Sequence, residues 1–257
     1  MNIERKHVLK SLHKLGDKVV YEDSLLCKYH VFKNREDAGN RLSRLLTAVR
    51  IHKDNAVVMA IPRGGVPVAY AISLNLEIPM DVLICRKILI PWNTEAGFGA
   101  IAPDGTIILN ERLLNMLGLE EDLIDRQIKR ATNEMRALIS KFRGSNKYDI
   151  KDKDAILVDD GIASGYTMLV AVKFIKNLRA SRIIIASPTA PISSLIMIAP
   201  EVDLIVCPNI RSSIYGFAVA DAYQLWYDLT DEEVLDYIEG IKRQTLWYPD
   251  LEKVNNT

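Results

Sequence analysis

Cysteine is scarce in this chain of 257 residues. Cys27, Cys85 and Cys207 are odd in number and far apart, which fits neither a disulfide framework nor a cysteine zinc site. They read as small buried apolar residues. The four histidines, His7, His13, His30 and His52, all precede residue 53 and lack metal-ligand spacing or a Ser/His/Asp arrangement. Neither sign of charge is in excess: 33 Lys and Arg balance 33 Asp and Glu, so no global field draws the protein to nucleic acid or to an anionic membrane. Any polyanion must be met locally. Long apolar runs are absent too, and "MNIERKHVLK" carries charge where a signal peptide needs an apolar core. These absences lead us to expect a cytoplasmic protein with neither membrane nor nucleic-acid partners. No G-x-x-x-x-G-K-[ST] occurs. "GFGAIA", Gly97 to Ala102, matches G-x-G-x-x-A, but Pro103, Asp104 and Gly105 follow where a dinucleotide fold requires a helix.

What is present is an ordinary globular composition, 49% hydrophobic and 26% charged. From Asn55 onward short β-branched runs alternate with helical patterns, the signature of βαβ units and a parallel sheet. "NAVVMAIP" reads as a strand, "VPVAYAISLNL" as its helix and "MDVLICRKI" as a second strand. "GAIAPDGTIILN" reads as a hairpin turning on Asp104 and Gly105. Residues 110–142 are helical, with Gly118 as a break and Leu123, Ile124, Ile128, Ala131, Met135, Leu138 and Phe142 on one face. Such a stripe suits either packing on the chain's own sheet or self-association, and a homo-oligomer is one expectation. "AILVDD" is the next strand, "TMLVAVKFIKNL" its helix, and "SRIIIASP" and "VDLIVCP" the last two strands. "TDEEVLDYIEGI" opens with Thr230 and Glu233 at capping-box spacing and predicts a helix. Residues 1–30 read as a weakly patterned appendage to a domain over 31–257, in which 110–142 is an insertion and 209–243 a hood with the C-terminal helix.

"ILVDDGIASGYTM", residues 156–168, carries the chemistry. Ligands of open α/β sheets sit beyond the carboxyl ends of the strands, where Asp159 and Asp160 fall. Paired ionised acids are costly to hold there unless something binds them. Gly161 and Gly165 let the backbone turn tightly, and the small residues between leave amide groups uncovered at a helix start, an anion site with the Ser164 and Thr167 hydroxyls beside it. A sugar phosphate satisfies both halves. "IPRGG" ends the first strand: Gly64 and Gly65 permit close backbone approach to an anion, and the Arg63 guanidinium can take two phosphate oxygens. "CRK" sets Arg86 and Lys87 at what reads as the same sheet edge.

"VDDGIASGYT" resembles the phosphoribosyl-diphosphate (PRPP) signature of type I phosphoribosyltransferases. "AIPRGGVPVA", "VLICRKI", the Asn93/Glu95 loop and "AYQLWYDLTDEEV" extend the resemblance over about residues 31–238, to the bacterial and archaeal phosphoribosyltransferases of unsettled acceptor. The resemblance implies an α/β parallel-sheet fold with a C-terminal hood. It implies that Asp159 and Asp160 contact the ribose hydroxyls and a Mg²⁺ ion, that Ala163, Ser164, Gly165, Tyr166 and Thr167 hold the 5′-phosphate, and that the Arg63–Gly65 loop meets the pyrophosphate. Where 6-oxopurine enzymes carry an aspartate, this chain has Ala163, so Glu95, in a segment 91–99 expected to fold over the site, is the substitute acid/base. Of Tyr215, Phe217, Tyr223 and Trp226, one or two are expected to face a ligand, because aromatic stripes are mostly core.

Departure of pyrophosphate from the anomeric carbon develops positive charge on the ribose and negative charge on the leaving group. Asp159 and Asp160 suit the first; Arg63, Arg86, Lys87 and Mg²⁺ suit the second. Two readings stay open. One is transfer of a 5-phosphoribosyl group from PRPP to a nitrogenous small-molecule acceptor, a nucleobase by expectation, in salvage-type nucleotide metabolism. The other is a PRPP-binding sensor or regulator on the same fold.

Overall fold

The structure, a computed structural model, describes residues 3–93, 96–214 and 216–249. Helix α1 (Ile3–Leu15) and strand β1 (Val19–Val20) come first. Then α2 (Arg35–Thr47) begins at Asn34, whose side chain accepts the Asp37 amide hydrogen at 2.9 Å and so caps the helix. Strand β2 (Ala56–Ala60), α3 (Gly65–Leu76) and β3 (Met80–Val82) form the first βαβ unit. The chain then leaves the main sheet for β4 (Arg86–Leu89), β5 (Gly97–Ile101), β6 (Ile107–Leu109), α4 (Glu111–Leu117) and α5 (Glu121–Phe142). It returns through β7 (Asp154–Val158), α6 (Tyr166–Asn177), β8 (Arg182–Ala186), β9 (Thr189–Pro191), α7 (Ile192–Ile198), β10 (Leu204–Val206), β11 (Asn209–Arg211) and α8 (Asp231–Arg243).

The main sheet is parallel and six-stranded, in the order β1-β10-β8-β7-β2-β3. Every residue of β2 and β7 is buried, as strands covered on both faces must be, which is why residues 56–60 and 155–158 read as unbroken apolar runs. Side chains alternate across the pleat: Ala155 and Leu157 join the core on one face of the sheet, Ile156 and Val158 the core on the other. Among the described residues no helix is long and apolar enough to cross a membrane.

Two sequence expectations change, and a third, left open between two alternatives, is decided. "MDVLICRKI" is two strands, not one: β3 stays in the main sheet, while β4 pairs antiparallel with β5 in a separate sheet β4-β5-β6. The Asp104–Gly105 hairpin joins β5 to β6, with Gly105 at φ +86° as its turn demands. Residues 97–99 of the expected covering segment are therefore the start of β5. Second, residues 3–30 do not stand apart. β1 is an edge strand of the main sheet, and Val8, Leu12, Val19 and Leu26 are buried in its core. Third, the stripe of α5 is occupied within the chain. Ala131, Met135 and Phe142, with Ile139, are buried in the core that also holds Ile88 and Phe98 of the antiparallel sheet, so the stripe itself calls for no second copy.

The end of α5 is fastened by a buried ion pair. Arg143 donates to both carboxylate oxygens of Asp81 in β3, at 2.9–3.0 Å, and both side chains are almost wholly inaccessible to solvent. The guanidinium lies 3.9 Å from the Tyr148 ring centre. Thr230 and Glu233 form the expected capping box at the start of α8, at 3.2 and 2.8 Å.

Candidate active site

Because β2 and β7 are parallel neighbours, with Ala60 opposite Val158, the loops that follow them emerge side by side. The β2 loop contains a cis peptide bond between Pro62 and Arg63. Its glycines do not keep the two loops apart. A Cβ placed on Gly65 would stand 2.6 Å from the Val158 carbonyl oxygen, and one placed on Gly64 would collide with the Asp160 carboxylate. The "PRGG" and "VDDG" segments therefore touch, which requires glycine on the first of them.

Asp159 and Asp160 stand at the end of β7 in a cleft of about 650 Å³. The Asp160 amide donates to Asp159 Oδ1 at 2.9 Å. Burial, and then the neighbouring Asp160 carboxylate, push the Asp159 carboxyl well above the ordinary range. Burial also pushes Asp160 upward, opposed by Arg35, whose Nε donates to Asp160 Oδ2 at 2.8 Å. Tyr223 donates its hydroxyl hydrogen to the Asp160 carbonyl at 2.5 Å.

The small-residue loop follows. Ser194 Oγ donates to the Ala163 carbonyl at 2.6 Å, and the Ile162 amide to Thr189 at 2.9 Å, so β9 and α7 hold the loop from behind. Gly165 lies at φ +88°, the left-handed region open to glycine, and its turn starts α6 at Tyr166. Ala163 and Ser164 are exposed, and with Gly161, Gly165 and Thr167 they line the cleft. Tyr166 and Gly65, both expected at the site, do not line it: Tyr166 packs against the core, and Gly65 is buried against Val158 and Asp159.

The expected cations Arg63, Arg86 and Lys87 line the same cleft, though Arg86 and Lys87 arrive from β4 rather than from the end of a main-sheet strand. Arg63 Nε donates to Asp231 Oδ1 at 2.7 Å, and Lys141 to Asp231 Oδ2 at 2.8 Å. Hydrogen bonds from Lys141 and Arg63 hold Asp231 below the ordinary carboxylate range against partial burial. Arg86 Nη2 donates to Glu134 Oε2 at 2.8 Å, while Arg86 Nε is buried without a partner among the described residues. Burial would raise Glu134, yet the Arg86 and Arg130 hydrogen bonds bring it below its usual value. Lys87 is exposed, and its charge favours the ionised form of Asp159.

The hood supplies Phe217, Val219 and Trp226 to the cleft. Tyr223 is buried beneath, and Tyr215 lies outside the described residues. Glu95, the expected acid/base, also lies outside them. Two contributors went unseen in the sequence: Asp228 and Arg35, both of which line the cleft. Arg35 had one weak signal, the helix start announced by Asn34, but nothing local links it to an acid 125 residues away.

A parallel sheet whose loops bring together an acid pair, a glycine-turned small-residue loop, three cationic side chains and hood aromatics in one cleft is the type I phosphoribosyltransferase fold. The chain belongs to the phosphoribosyl transferase domain family, whose model matches residues 33–220. It is 31% identical over 214 residues to two Mycobacterium tuberculosis proteins with phosphoribosyl transferase in their names, a match that covers 83% of this chain and 47% of theirs. The chain thus spans about half the length of these curated relatives. The crystal structure of a Thermus thermophilus protein superposes with a TM-score of 0.64 at 27% identity, over 80% of this chain and 96% of the other.

Proposed function

We propose that this chain transfers a 5-phosphoribosyl group from PRPP to a nitrogenous acceptor, a nucleobase in class, and releases pyrophosphate. The observation that supports the reading is that Asp159 and Asp160 line one cleft together with Ala163, Ser164, Gly165 and Thr167 of the small-residue loop and with Arg63, Arg86 and Lys87. An α-D-ribosyl phosphate laid along the cleft would meet amide donors at its 5′ end, acids at its hydroxyls and cations at its leaving group.

Each group then has a task. Amides of the loop and the Ser164 and Thr167 hydroxyls anchor the unreacting phosphate, which orients the anomeric carbon. Asp159 and Asp160 hold the ribose hydroxyls and stabilise the cationic sugar as the bond to pyrophosphate breaks. Arg63, Arg86 and Lys87 take up negative charge on the departing oxygens. To do so the two arginines must share or leave Asp231 and Glu134. The exposed part of Trp226 offers a flat face for a ring acceptor. For the acceptor's proton the reading keeps Glu95 and adds Asp228, the one carboxylate besides the pair among the described residues lining the cleft.

The residues fit a Mg²⁺ ion. Asp159 and Asp160 are hard oxygen donors whose mutual repulsion a divalent cation would relieve. Among the described residues no cluster of three acids, histidines or cysteines could hold a metal by itself, which suits an ion whose remaining ligands are substrate oxygens. When bound, the ion would neutralise pyrophosphate charge.

The test is incubation of the purified protein with PRPP, Mg²⁺ and a panel of nucleobases, with pyrophosphate followed. Base-dependent pyrophosphate release supports the transferase. Tight PRPP binding with no release for any base would move the assignment to a PRPP sensor.

A further inference from the structure

We propose that Arg35 is a positioning residue that ties the ribose-binding acid Asp160 to the acceptor platform Trp226, so that one guanidinium sets both halves of the reaction. The inference rests on the phosphoribosyl-transfer reading and goes beyond it by naming what couples the two substrates.

Arg35 is the first residue of α2 and is only 6% exposed. A guanidinium so buried must be partnered, and here it has three neighbours. Nε donates to Asp160 Oδ2 at 2.8 Å. Nη1 donates to the Tyr227 carbonyl at 2.9 Å. Its Cζ lies over the Trp226 ring, 4.0 Å from the ring centre. Trp226 in turn packs on Tyr223, with ring centres 5.2 Å apart, and the Tyr223 hydroxyl donates to the Asp160 carbonyl at 2.5 Å. Asp160, Arg35, Trp226 and Tyr223 therefore form a closed ring of contacts around the acid.

The start of α2 is itself held on both sides of the arginine. Asn34 caps it, and Glu36 accepts the Tyr237 hydroxyl hydrogen at 2.6 Å. Arg35 thus enters the cleft from a fixed helix, while Trp226 sits in the hood without regular secondary structure, its neighbour Tyr227 held through its carbonyl. The helix is the rigid partner and the hood the positioned one. Lysine cannot replace this geometry: an ammonium keeps the charge for Asp160 but has neither the planar face for the indole nor the second, splayed donor for Tyr227.

The test uses Arg35→Lys, Trp226→Leu and the double variant, with steady-state kinetics on PRPP and the best acceptor of the base panel. Arg35→Lys should keep the PRPP KM within about threefold, because the charge beside Asp160 survives. Its acceptor KM should rise on the order of tenfold, as a misplaced platform loses its stacking. Trp226→Leu should raise the acceptor KM similarly, and the double variant should be no worse than the single ones. Losses that multiply in the double variant, or a wild-type acceptor KM in Arg35→Lys, would overturn the inference. A second readout needs no ligand: acrylamide quenching of the emission that Trp226→Leu removes should increase in Arg35→Met. Unchanged quenching overturns the inference by itself. A wild-type protein that neither binds nor turns over PRPP defeats the transfer reading instead, and so the two failures are distinct.

Discussion

Gly64 lies against the carboxylate of Asp160 so closely that any Cβ would take the place of its oxygen. Two loops that leave neighbouring strands nearly a hundred residues apart in sequence thereby share one surface, and on the proposed reading these are the leaving-group and ribose sides of the cleft. Asp160 cannot swing away freely, because Arg35 holds the same oxygen, Oδ2, at 2.8 Å. Gly64→Ala should therefore damage the site more than the fold. We expect PRPP affinity to fall tenfold or more by calorimetry, with a stability loss of about 1 kcal/mol from overpacking.

The acid pair makes stability depend on pH in a direction opposite to that of a salt-bridged carboxylate. Asp159 has its folded pKa raised, by burial and by Asp160, so between the unfolded value of about 3.9 and the raised value the folded state binds more protons than the unfolded one. Stability then falls as pH rises through that window. Asp159→Asn keeps the shape without the titration, so it should melt higher than wild type at neutral pH, with the advantage vanishing near pH 4 and below. An Asn variant that melts lower than wild type at pH 7 would contradict the sign. Changing both acids to Asn should meanwhile reduce turnover roughly a hundredfold or more, as loss of a placed electrostatic partner does.

Gly165→Val tests the anion loop. On the proposed reading a branched side chain there would fill the phosphate's space. The structure gives another reason, since the new Cβ would stand 2.7 Å from the Met197 methyl and 3.4 Å from Ser194 Cβ, toward α7. With φ at +88°, the variant meets backbone strain and overpacking together, about 3 kcal/mol. The loop should shift, and both Tm and binding of PRPP or inorganic phosphate should drop. Met197→Ala in the same chain should return part of the Tm but not the strain.

The Arg143–Asp81 pair predicts a large effect far from the chemistry. Removing one buried partner leaves an uncompensated charge, so Arg143→Met should cost about 3–5 kcal/mol, roughly 10 °C in a chain of this size. Asp81→Leu combined with Arg143→Met should recover much of the loss by thermal melting. Detachment of the end of α5 should also weaken the cationic wall, because Glu134 and Lys141 of that helix hold Arg86 and, through Asp231, Arg63.

Much of the fold was legible because its strands carry local marks. β2 and, after Asp154, β7 are fully buried apolar runs, and the hairpin at Asp104–Gly105 and the capping box at Thr230 are short-range patterns that dictate their own geometry. The split of "MDVLICRKI" was not legible. β3 and β4 are both apolar and adjacent, and only the pairing of each with a different sheet separates them.

By itself, the sequence determined the acids at the end of a parallel strand, the glycine turn after them and the small residues that uncover amides, because backbone conformation and strand direction are local properties. Only the tertiary structure decided which cations face which carboxylates. Arg35 reaches Asp160 over 125 positions and Arg63 reaches Asp231 over 168, distances across which no propensity or spacing acts. Charge has no periodicity, and a guanidinium's partner is chosen by where the packed helices place it.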